Sequence, residues 1–131
     1  MRHKTGEIEK PTIGDNDLLL EVANVGVCGS DLHQWTADHS WPVNYPVVLG
    51  HEFIGTVVAA GKNATAMIGK RIACGAGISC GSCLRCIEGR TNLCTKYYTL
   101  GTSTHGGLAE YVAAPANICV PIPDSLSDED A

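Results

Sequence analysis

The sequence predicts a mainly β domain in the form of a partly open barrel, and three observations support this. From about Asp17 to Val25, apolar residues alternate with period 2, so that Leu18, Leu20 and Val22 share the buried face of a strand. Short apolar runs bounded by Gly, Pro or Asn recur at 47–49, 53–60, 71–74, 109–113 and 117–120. No long amphipathic helix is available to cover a parallel sheet, which favours a barrel over a layered α/β fold.

Short helices complete the predicted fold. Ser30 and Asp31 suit the N-terminus of a helix just after the first strand. Near the C-terminus, Ser127 is a candidate helix cap, and the acidic residues that follow it are typical of a first turn. Because the chain ends at Ala131, we expect either a helix that continues beyond this residue or a free tail.

Length, charge and hydropathy limit the classes of function. The 131 residues form one predicted domain, 1–131, which is large enough to bury a hydrophobic core. The formal net charge is -5 and no basic cluster occurs, so we expect no nucleic-acid partner. No run approaches the roughly 18 apolar residues of a membrane span, and the N-terminus has no apolar signal segment. We therefore expect no membrane partner and a cytoplasmic location.

Four cysteines at the spacing CxxCxxCx7C form the densest cluster of reactive side chains in the sequence: Cys80, Cys83, Cys86 and Cys94. CxxC turns present paired sulfurs to one ion, and four thiolates complete a tetrahedral zinc shell with no open position. An iron–sulfur cluster and four buried thiols are the alternatives, but the bacterial ferredoxin run closes with CxxxCP. The pattern therefore predicts a structural zinc site in a lobe of about 75–100.

The other cysteines, the histidines and the aromatic residues receive plainer interpretations. Seven cysteines in a chain without an export signal argue against a disulfide framework, since cytosolic thiols are kept reduced. Cys74 and Cys119 lie in apolar runs, and we expect both to be core thiols. His3, His39 and His105 are expected in loops or at the solvent. Three aromatic residues are expected to pack in the fold, with the lining of a substrate pocket as the alternative: Trp35, Trp41 and Tyr45.

A second group of candidate residues lies in the segments VGVCGSDLH and LGHEFIG. Cys28 and His51 are plausible zinc ligands, and Asp31 and Glu52 are carboxylates that either orient a ligand imidazole or bind the metal themselves. Two further side chains could pass a proton to solvent: Ser30 and His33. On spacing alone, a cysteine after a strand is also typical of a small core residue, so the second metal site remains one of two alternatives.

Four segments carry a resemblance to a known family. They are GVCGSDLH, YPVVLGHEFIGTVVAAG, the four-cysteine lobe ending in GRTNLC, and HGGLAEYVAAP leading to IPDSLSDEDA. In this order, from about Pro11 to Ala131, the chain resembles the zinc-dependent medium-chain alcohol dehydrogenases, particularly the polyol (sorbitol-like) and threonine dehydrogenase branch. The resemblance implies a chaperonin-10 (GroES)-like N-terminal catalytic domain, which in the family precedes a Rossmann nucleotide domain.

The resemblance implies a catalytic zinc site in the second group of residues. Cys28 and His51 fall on the positions of zinc ligands, with Glu52 beside them as an alternate or water-mediated ligand. Asp31 falls on the position of the carboxylate that supports the metal-bound histidine. The spacing left this site open, and the resemblance favours it.

The resemblance also implies a reaction. Ser30 and His33 fall on the proton-relay positions, through which the proton of a zinc-bound alcohol would reach solvent while hydride passes to NAD or NADP. The implied partner is a small-molecule alcohol or polyol, and a full-length member is expected to form a homo-oligomer.

Two features of the family are missing from these 131 residues. No GxGxxG occurs, so we expect the Rossmann domain to be absent from this chain. The family's remaining catalytic-zinc ligand lies beyond the segment that IPDSLSDEDA matches, so we expect the isolated chain to be inactive. Two alternatives stay open: a stand-alone zinc-binding structural or interaction module, and a related reductase that keeps only the structural zinc.

Overall fold

A computed structural model describes residues 4–36 and 43–131. His3, His39 and Trp41, which were interpreted above, lie outside the described residues. Among the helices of the described residues, none is long and apolar enough to cross a membrane.

Strands dominate the described part of the chain. They are β1 (Asp17–Gly26), β2 (Glu52–Ala60), β3 (Arg71–Cys74), β4 (Gly77–Ile78), β5 (Tyr98–Thr99), β6 (Tyr111–Pro115) and β7 (Cys119–Pro121). The α-helices are α1 (Gly29–Thr36) and α2 (Leu84–Ile87), and 3-10 turns lie at Thr65–Met67, Thr91–Leu93 and Ala116–Ile118. Helix α1 begins one residue before the predicted Ser30. The mainly β prediction, with short helices, is confirmed.

The main sheet is open and antiparallel. Its five strands follow the order β6-β1-β2-β3-β7, and β4 pairs with β5 in a separate two-stranded sheet. Four of the predicted apolar runs coincide with β2, β3, β6 and β7 to within a few residues. Strands β6 and β7 form the two edges of this order, which agrees with a barrel that is only partly closed.

Strand β1 is central to the core. It pairs with β2 and β6, and Leu18 and Leu20 are fully buried, as the alternating pattern predicts. Leu19, on the opposite face, is also only 8% exposed, so the prediction of one buried face is wrong here. Its neighbours across the sheet are Ala59 on β2 and Ala113 on β6, so Leu19 lies in the middle of three paired strands.

The apolar run at 47–49 is not a strand. Its carbonyl groups accept hydrogen bonds from Gly106 N–H at 2.8 Å and Leu108 N–H at 3.0 Å, and Val48 N–H donates to His105 Nδ1 at 3.1 Å. This contact between two loops satisfies the backbone without a strand ladder. It is followed by Gly50, whose φ of 88° favours glycine and turns the chain into β2.

The C-terminal residues form a turn that is attached to the sheet. Ser127 Oγ accepts a hydrogen bond from Asp130 N–H at 3.2 Å, the cap contact that the sequence predicts, but the segment does not continue as a helix. The Arg71 guanidinium on β3 donates to the Asp128 carboxylate and to the Leu126 carbonyl oxygen. The end of the chain is therefore a bound turn and not a free tail.

Replacing Gly106 by Ala is expected to destabilise the domain. A Cβ atom at this position would lie 1.9 Å from the carbonyl oxygen of Gly50 and 2.7 Å from that of Leu49, so the backbone leading to β2 would have to move. We expect the free energy of unfolding, measured by urea denaturation, to fall by about 2 kcal/mol or more. The control Gly6→Ala meets no atom within 4 Å and should leave stability unchanged. Equal stability of the two variants would contradict this close packing.

Candidate functional site

The register of β1 and β2 brings two distant segments of the sequence together. Cys28 lies between the end of β1 and the start of α1, while His51 and Glu52 lie where β2 begins. Gly26, the last residue of β1, is the partner of Glu52 across the sheet. The antiparallel pairing therefore places the cysteine segment beside the histidine segment.

Three potential metal-ligand atoms converge at this point. Cys28 Sγ, a His51 ring nitrogen and a Glu52 carboxylate oxygen all lie within 4.8 Å of one another. Cys28 and His51 are half-buried, whereas Glu52 is exposed at the rim. One sulfur, one nitrogen and one oxygen are ligand types found in catalytic zinc sites, which keep a further position open. The residues present thus fit a metal ion.

Asp31 connects the two segments that carry these ligands. Its carboxylate is buried, with the residue only 5% exposed. Oδ2 accepts a hydrogen bond from Cys28 N–H at 3.0 Å, and Oδ1 accepts one from Gly50 N–H at 3.2 Å. A buried carboxylate is costly unless it is hydrogen-bonded, so these two contacts hold the start of α1 against the start of β2.

The two ring nitrogens of His51 have different surroundings. Nδ1 is buried and lies 3.5 Å from Asp31 Oδ1, too far for a well-formed hydrogen bond, and it makes none with the part of the chain that the structure describes. Nε2 lies 3.3 Å from Ser30 Oγ. A carboxylate behind one nitrogen and an open cavity before the other is the arrangement by which proteins orient a metal-binding histidine.

The two predicted proton-relay residues differ in position. Ser30 is beside His51 and lines the cavity described below. His33 lies further along α1 and is exposed, and no hydrogen bond between it and Ser30 is found among the described residues. The structure therefore brings Ser30 to the metal-ligand cluster and leaves His33 at the solvent.

A cavity of about 380 Å³ opens beside Ser30 and His51, and residues 97–100, 102 and 103 line its opposite side. Gln34 also lines it. This residue is fully buried, and neither polar atom of its amide has a hydrogen-bond partner among the described residues. An amide buried in this way is unfavourable unless water or a ligand satisfies it. Sequence reasoning did not find Gln34, because an isolated glutamine in a short helix carries no pattern.

Aromatic residues were the other sequence candidates for this cavity. Trp35 is 57% exposed, and Tyr45 donates its hydroxyl hydrogen to the Gln34 carbonyl oxygen at 3.4 Å. The described lining of the cavity includes neither of them and contains Tyr97 and Tyr98 instead. These two tyrosines adjoin the cysteine lobe, which thus contributes one wall.

The four-cysteine lobe is a loop closed at its base by β4 and β5. Gly77 is opposite Thr99 and Ile78 is opposite Tyr98. Within the loop, three backbone N–H groups donate to sulfur at 3.3 Å, those of residues 80, 83 and 96. The chain is therefore folded around the sulfur atoms by local contacts alone.

The sulfur geometry of the lobe fits a single tetrahedral ion. All four Sγ atoms lie within 4.8 Å of one another, and the cysteines are not joined as disulfides. The separations are 3.5 Å for Cys83–Cys86, 3.5 Å for Cys80–Cys94 and 4.0 Å for Cys80–Cys86. Four sulfurs at a zinc–sulfur distance of about 2.3 Å would be about 3.8 Å apart, which these values bracket.

The fold shifts the pKa values of three thiols in the lobe. Hydrogen bonds from backbone N–H groups, first that of Thr95 and then that of Cys86, lower the pKa of Cys83 to about 5. Backbone hydrogen bonds from Ser82 and Cys83 lower the pKa of Cys80 to about 7. Burial, followed by the neighbouring Cys83 thiol, raises the pKa of Cys86 to about 11. Two of the thiols are thus favoured as thiolates, the form that binds metal.

Replacing Asp31 by Asn is expected to destabilise the domain. The amide fits the same space, but only one of its two polar atoms accepts a hydrogen bond, so the N–H of Cys28 or of Gly50 loses its acceptor. We expect the free energy of unfolding in urea to fall by about 2 kcal/mol. The control Asp15→Asn removes an exposed ion pair with Lys62, and we expect a loss of at most about 0.5 kcal/mol. Equal losses in the two variants would show that Asp31 does not connect the segments.

The sequence matches the family model of the alcohol dehydrogenase GroES-like domain over residues 14–124. L-threonine 3-dehydrogenase of Vibrio parahaemolyticus serotype O3:K6 is 37% identical over 126 residues, which are 94% of this chain and 37% of the relative. L-threonine 3-dehydrogenase of Idiomarina loihiensis is 38% identical over the same length, with the same coverage.

Solved structures give the same result for the fold. The cobalt and zinc bound thermostable alcohol dehydrogenase of Pyrobaculum aerophilum superposes with a TM-score of 0.81 at 30% identity, over 90% of this chain and 36% of that one. An alcohol dehydrogenase of Escherichia coli CFT073 complexed with NADH gives a TM-score of 0.85 at 36% identity, over 93% and 35%.

The coverage defines what the similarity applies to. This chain spans 37% of the length of the two curated relatives, and it is matched almost from end to end. The resemblance and the GroES-like fold that the sequence predicts are confirmed. The chain therefore belongs to the zinc-dependent medium-chain alcohol dehydrogenase family, and its residues 14–124 match the GroES-like domain of that family.

Proposed function

We propose that residues 1–131 are the zinc-binding catalytic domain of a dehydrogenase that oxidises a CH–OH group of a small alcohol or polyol and transfers hydride to NAD or NADP. One observation carries the proposal: the Cys28, His51 and Glu52 ligand atoms converge next to Ser30 at the edge of a cavity. A ligand cluster beside a hydroxyl group and a cavity suits a reaction at a metal-bound oxygen atom.

Zinc is the metal proposed for both sites. A mixed sulfur, nitrogen and oxygen set with an open position suits a catalytic zinc ion, and four cysteine sulfurs suit a structural one. The zinc-bound relative from Pyrobaculum supports this choice. We assign Cys28, His51 and Glu52 to the first site and the four-cysteine lobe, about 75–100, to the second.

The roles of the chain's own residues follow from their contacts. When bound, zinc supplies a Lewis acid that lowers the pKa of an alcohol. Ser30 Oγ, 3.3 Å from His51 Nε2, is placed to accept the hydroxyl hydrogen of that alcohol, and the exposed His33 offers a route by which the proton reaches solvent. The Asp31 carboxylate lies 3.5 Å behind His51 Nδ1, and Nε2 is directed toward Ser30.

The nicotinamide nucleotide is proposed to bind to polypeptide outside these 131 residues. The described residues form antiparallel sheets and contain no doubly wound parallel sheet of the kind that binds dinucleotides. The relative from Escherichia coli that is complexed with NADH is almost three times as long as the part that this chain matches. A whole protein that combines both parts would be a homo-oligomer, as the resemblance implies, and its proposed location is the cytoplasm.

We expect the purified chain to retain about two zinc ions after extensive dialysis, measured by elemental mass spectrometry. Cys86→Ser should remove one of them and lower the melting temperature, because structural zinc contributes directly to folding. Cys28→Ser should remove the other with a smaller change in melting temperature. The matched control is Cys74→Ser, whose thiol belongs to neither cluster, and it should retain both ions.

The same variants test the proposed activity in the dehydrogenase that carries this chain. Cys28→Ser should abolish the alcohol-dependent reduction of NAD or NADP, whereas Cys74→Ser should remain active. One zinc ion per chain that Cys28→Ser does not affect would support a stand-alone zinc-binding module or a reductase with structural zinc alone. Turnover by Cys28→Ser at the wild-type rate would reject the catalytic assignment.

Gln34→Leu is expected to weaken substrate binding without destabilising the fold. If the buried amide contacts a polar group of the alcohol, its removal should raise KM about tenfold and change kcat less, in steady-state assays of the same dehydrogenase. Urea unfolding of the 131-residue chain should show equal or higher stability, because the variant buries no unpaired polar atom. An unchanged KM would mean that the amide does not contact the substrate.

A further inference from the structure

Cys74 and Cys119 are direct neighbours across the β3–β7 pair. The flanking backbone bonds run from Gly75 N–H to Ile118 O at 2.8 Å and from Ile122 N–H to Arg71 O at 2.9 Å. Because hydrogen-bonded and non-hydrogen-bonded pairs alternate along an antiparallel ladder, the two cysteines form a non-hydrogen-bonded pair. In such pairs the side chains lie closest to each other.

The geometry of this pair allows a disulfide bond without movement of the strands. Cα atoms of a non-hydrogen-bonded pair are about 4.5 Å apart, which lies within the range that disulfides accept. The two Sγ atoms are 3.9 Å apart and need only side-chain rotation to approach the bonding distance of about 2.0 Å. No other described part of the main sheet places two cysteines opposite each other.

We propose that Cys74 and Cys119 are an oxidative modification site, at which a peroxide converts the two thiols into a cross-strand disulfide. One thiol is oxidised to a sulfenic acid as the peroxide O–O bond breaks, and in the case of hydrogen peroxide one water is released. The second thiol attacks the sulfenic sulfur, the S–S bond forms, and a second water leaves with the remaining proton. The thiols are oxidised, and the peroxide is reduced.

Access and hydrogen bonding support this reaction. Cys119 is 8% exposed, whereas Cys74 is half-buried and lines a cavity of about 810 Å³ that it shares with His51 and Glu52, through which a small oxidant can reach it. The hydrogen bond with Cys74 lowers the pKa of the Cys119 thiol. The same contact, followed by burial, raises the pKa of the Cys74 thiol, so Cys119 is the more acidic of the two thiols.

The bond would join the sheet next to the proposed catalytic cluster. Phe53, which follows Glu52, is opposite Cys74, and Cys74 is opposite Cys119. Strand β7 is an edge strand with β3 as its only neighbour in the sheet. A disulfide here would therefore hold the edge strand β7 against β3. The bond would lie in line with Phe53, the residue after the proposed metal ligand Glu52.

The test is peroxide treatment of the zinc-loaded 131-residue chain. Free thiols are then alkylated, and tryptic peptides are analysed without reduction. Because Cys74, Cys80 and Cys83 lie between Arg71 and Arg85 in one tryptic peptide, tandem mass spectrometry must locate the bond within it. We expect a bond from Cys74 to Cys119, with the lobe cysteines recovered in the alkylated form.

Thermal melting provides the second measurement. The oxidised wild type should melt about 5 °C or more above the same sample after reduction, because the bond restricts the unfolded chain. Cys74→Ser and Cys119→Ala should each lose this difference, and the comparison within one chain is unaffected by any change that a variant causes in folding. Bonds confined to the lobe, sulfinic acid at either thiol without a bond, or equal melting of oxidised and reduced wild type would overturn the proposal. None of these results depends on whether the chain is part of a dehydrogenase.

Discussion

The buried carboxylate of Asp31 is the constraint on which the proposed active site depends. The carboxylate accepts one hydrogen bond from Cys28 N–H and one from Gly50 N–H, so it joins the loop after β1 to the loop before β2. Separation of these loops would leave a carboxylate unpaired in the protein interior, which is far more costly than the loss of an exposed ion pair. The backbone of Gly106 packs closely against that of Gly50 and so supports the loop before β2. The proposed metal ligands are thus positioned by the fold without an ion.

The two proposed metal centres are built by different physical means. In the four-cysteine lobe, the ligands lie within a short segment, β4 and β5 close its base, and backbone N–H groups solvate the sulfurs. At the Cys28–His51 cluster, the ligands come from distant segments and depend on the β1–β2 register. With zinc bound, four sulfurs would leave the first proposed centre no open position, whereas three ligand atoms would leave the second room for a substrate oxygen. The denser cluster is therefore the support, and the sparser one is proposed to carry the chemistry.

This difference explains how much could be predicted from the sequence. The four-cysteine lobe could be predicted because its candidate ligands lie within a short segment of the sequence. Strand β1 could be predicted because its period-2 pattern is strong. Spacing alone left Cys28 and His51 undecided, since register is a property of the folded sheet, and only the family resemblance favoured them. The burial of Leu19 and the coil at 47–49 depend on neighbours across strands and loops, which one sequence does not show. Gln34 was missed for the same reason.

The Cys74–Cys119 pair is a further case in which strand pairing brings reactive side chains together. The sequence indicated two core thiols, which describes the burial of each residue but not their relation to each other. The two residues face each other because β3 pairs with β7. Their side chains lie close together because they form a non-hydrogen-bonded pair of that ladder. Because β2 begins at Glu52, directly after His51, and pairs with β3, Cys74 shares a cavity with these two proposed metal ligands. An oxidant that enters this cavity therefore meets the Cys74 thiol, whose partner Cys119 is 3.9 Å away across the sheet.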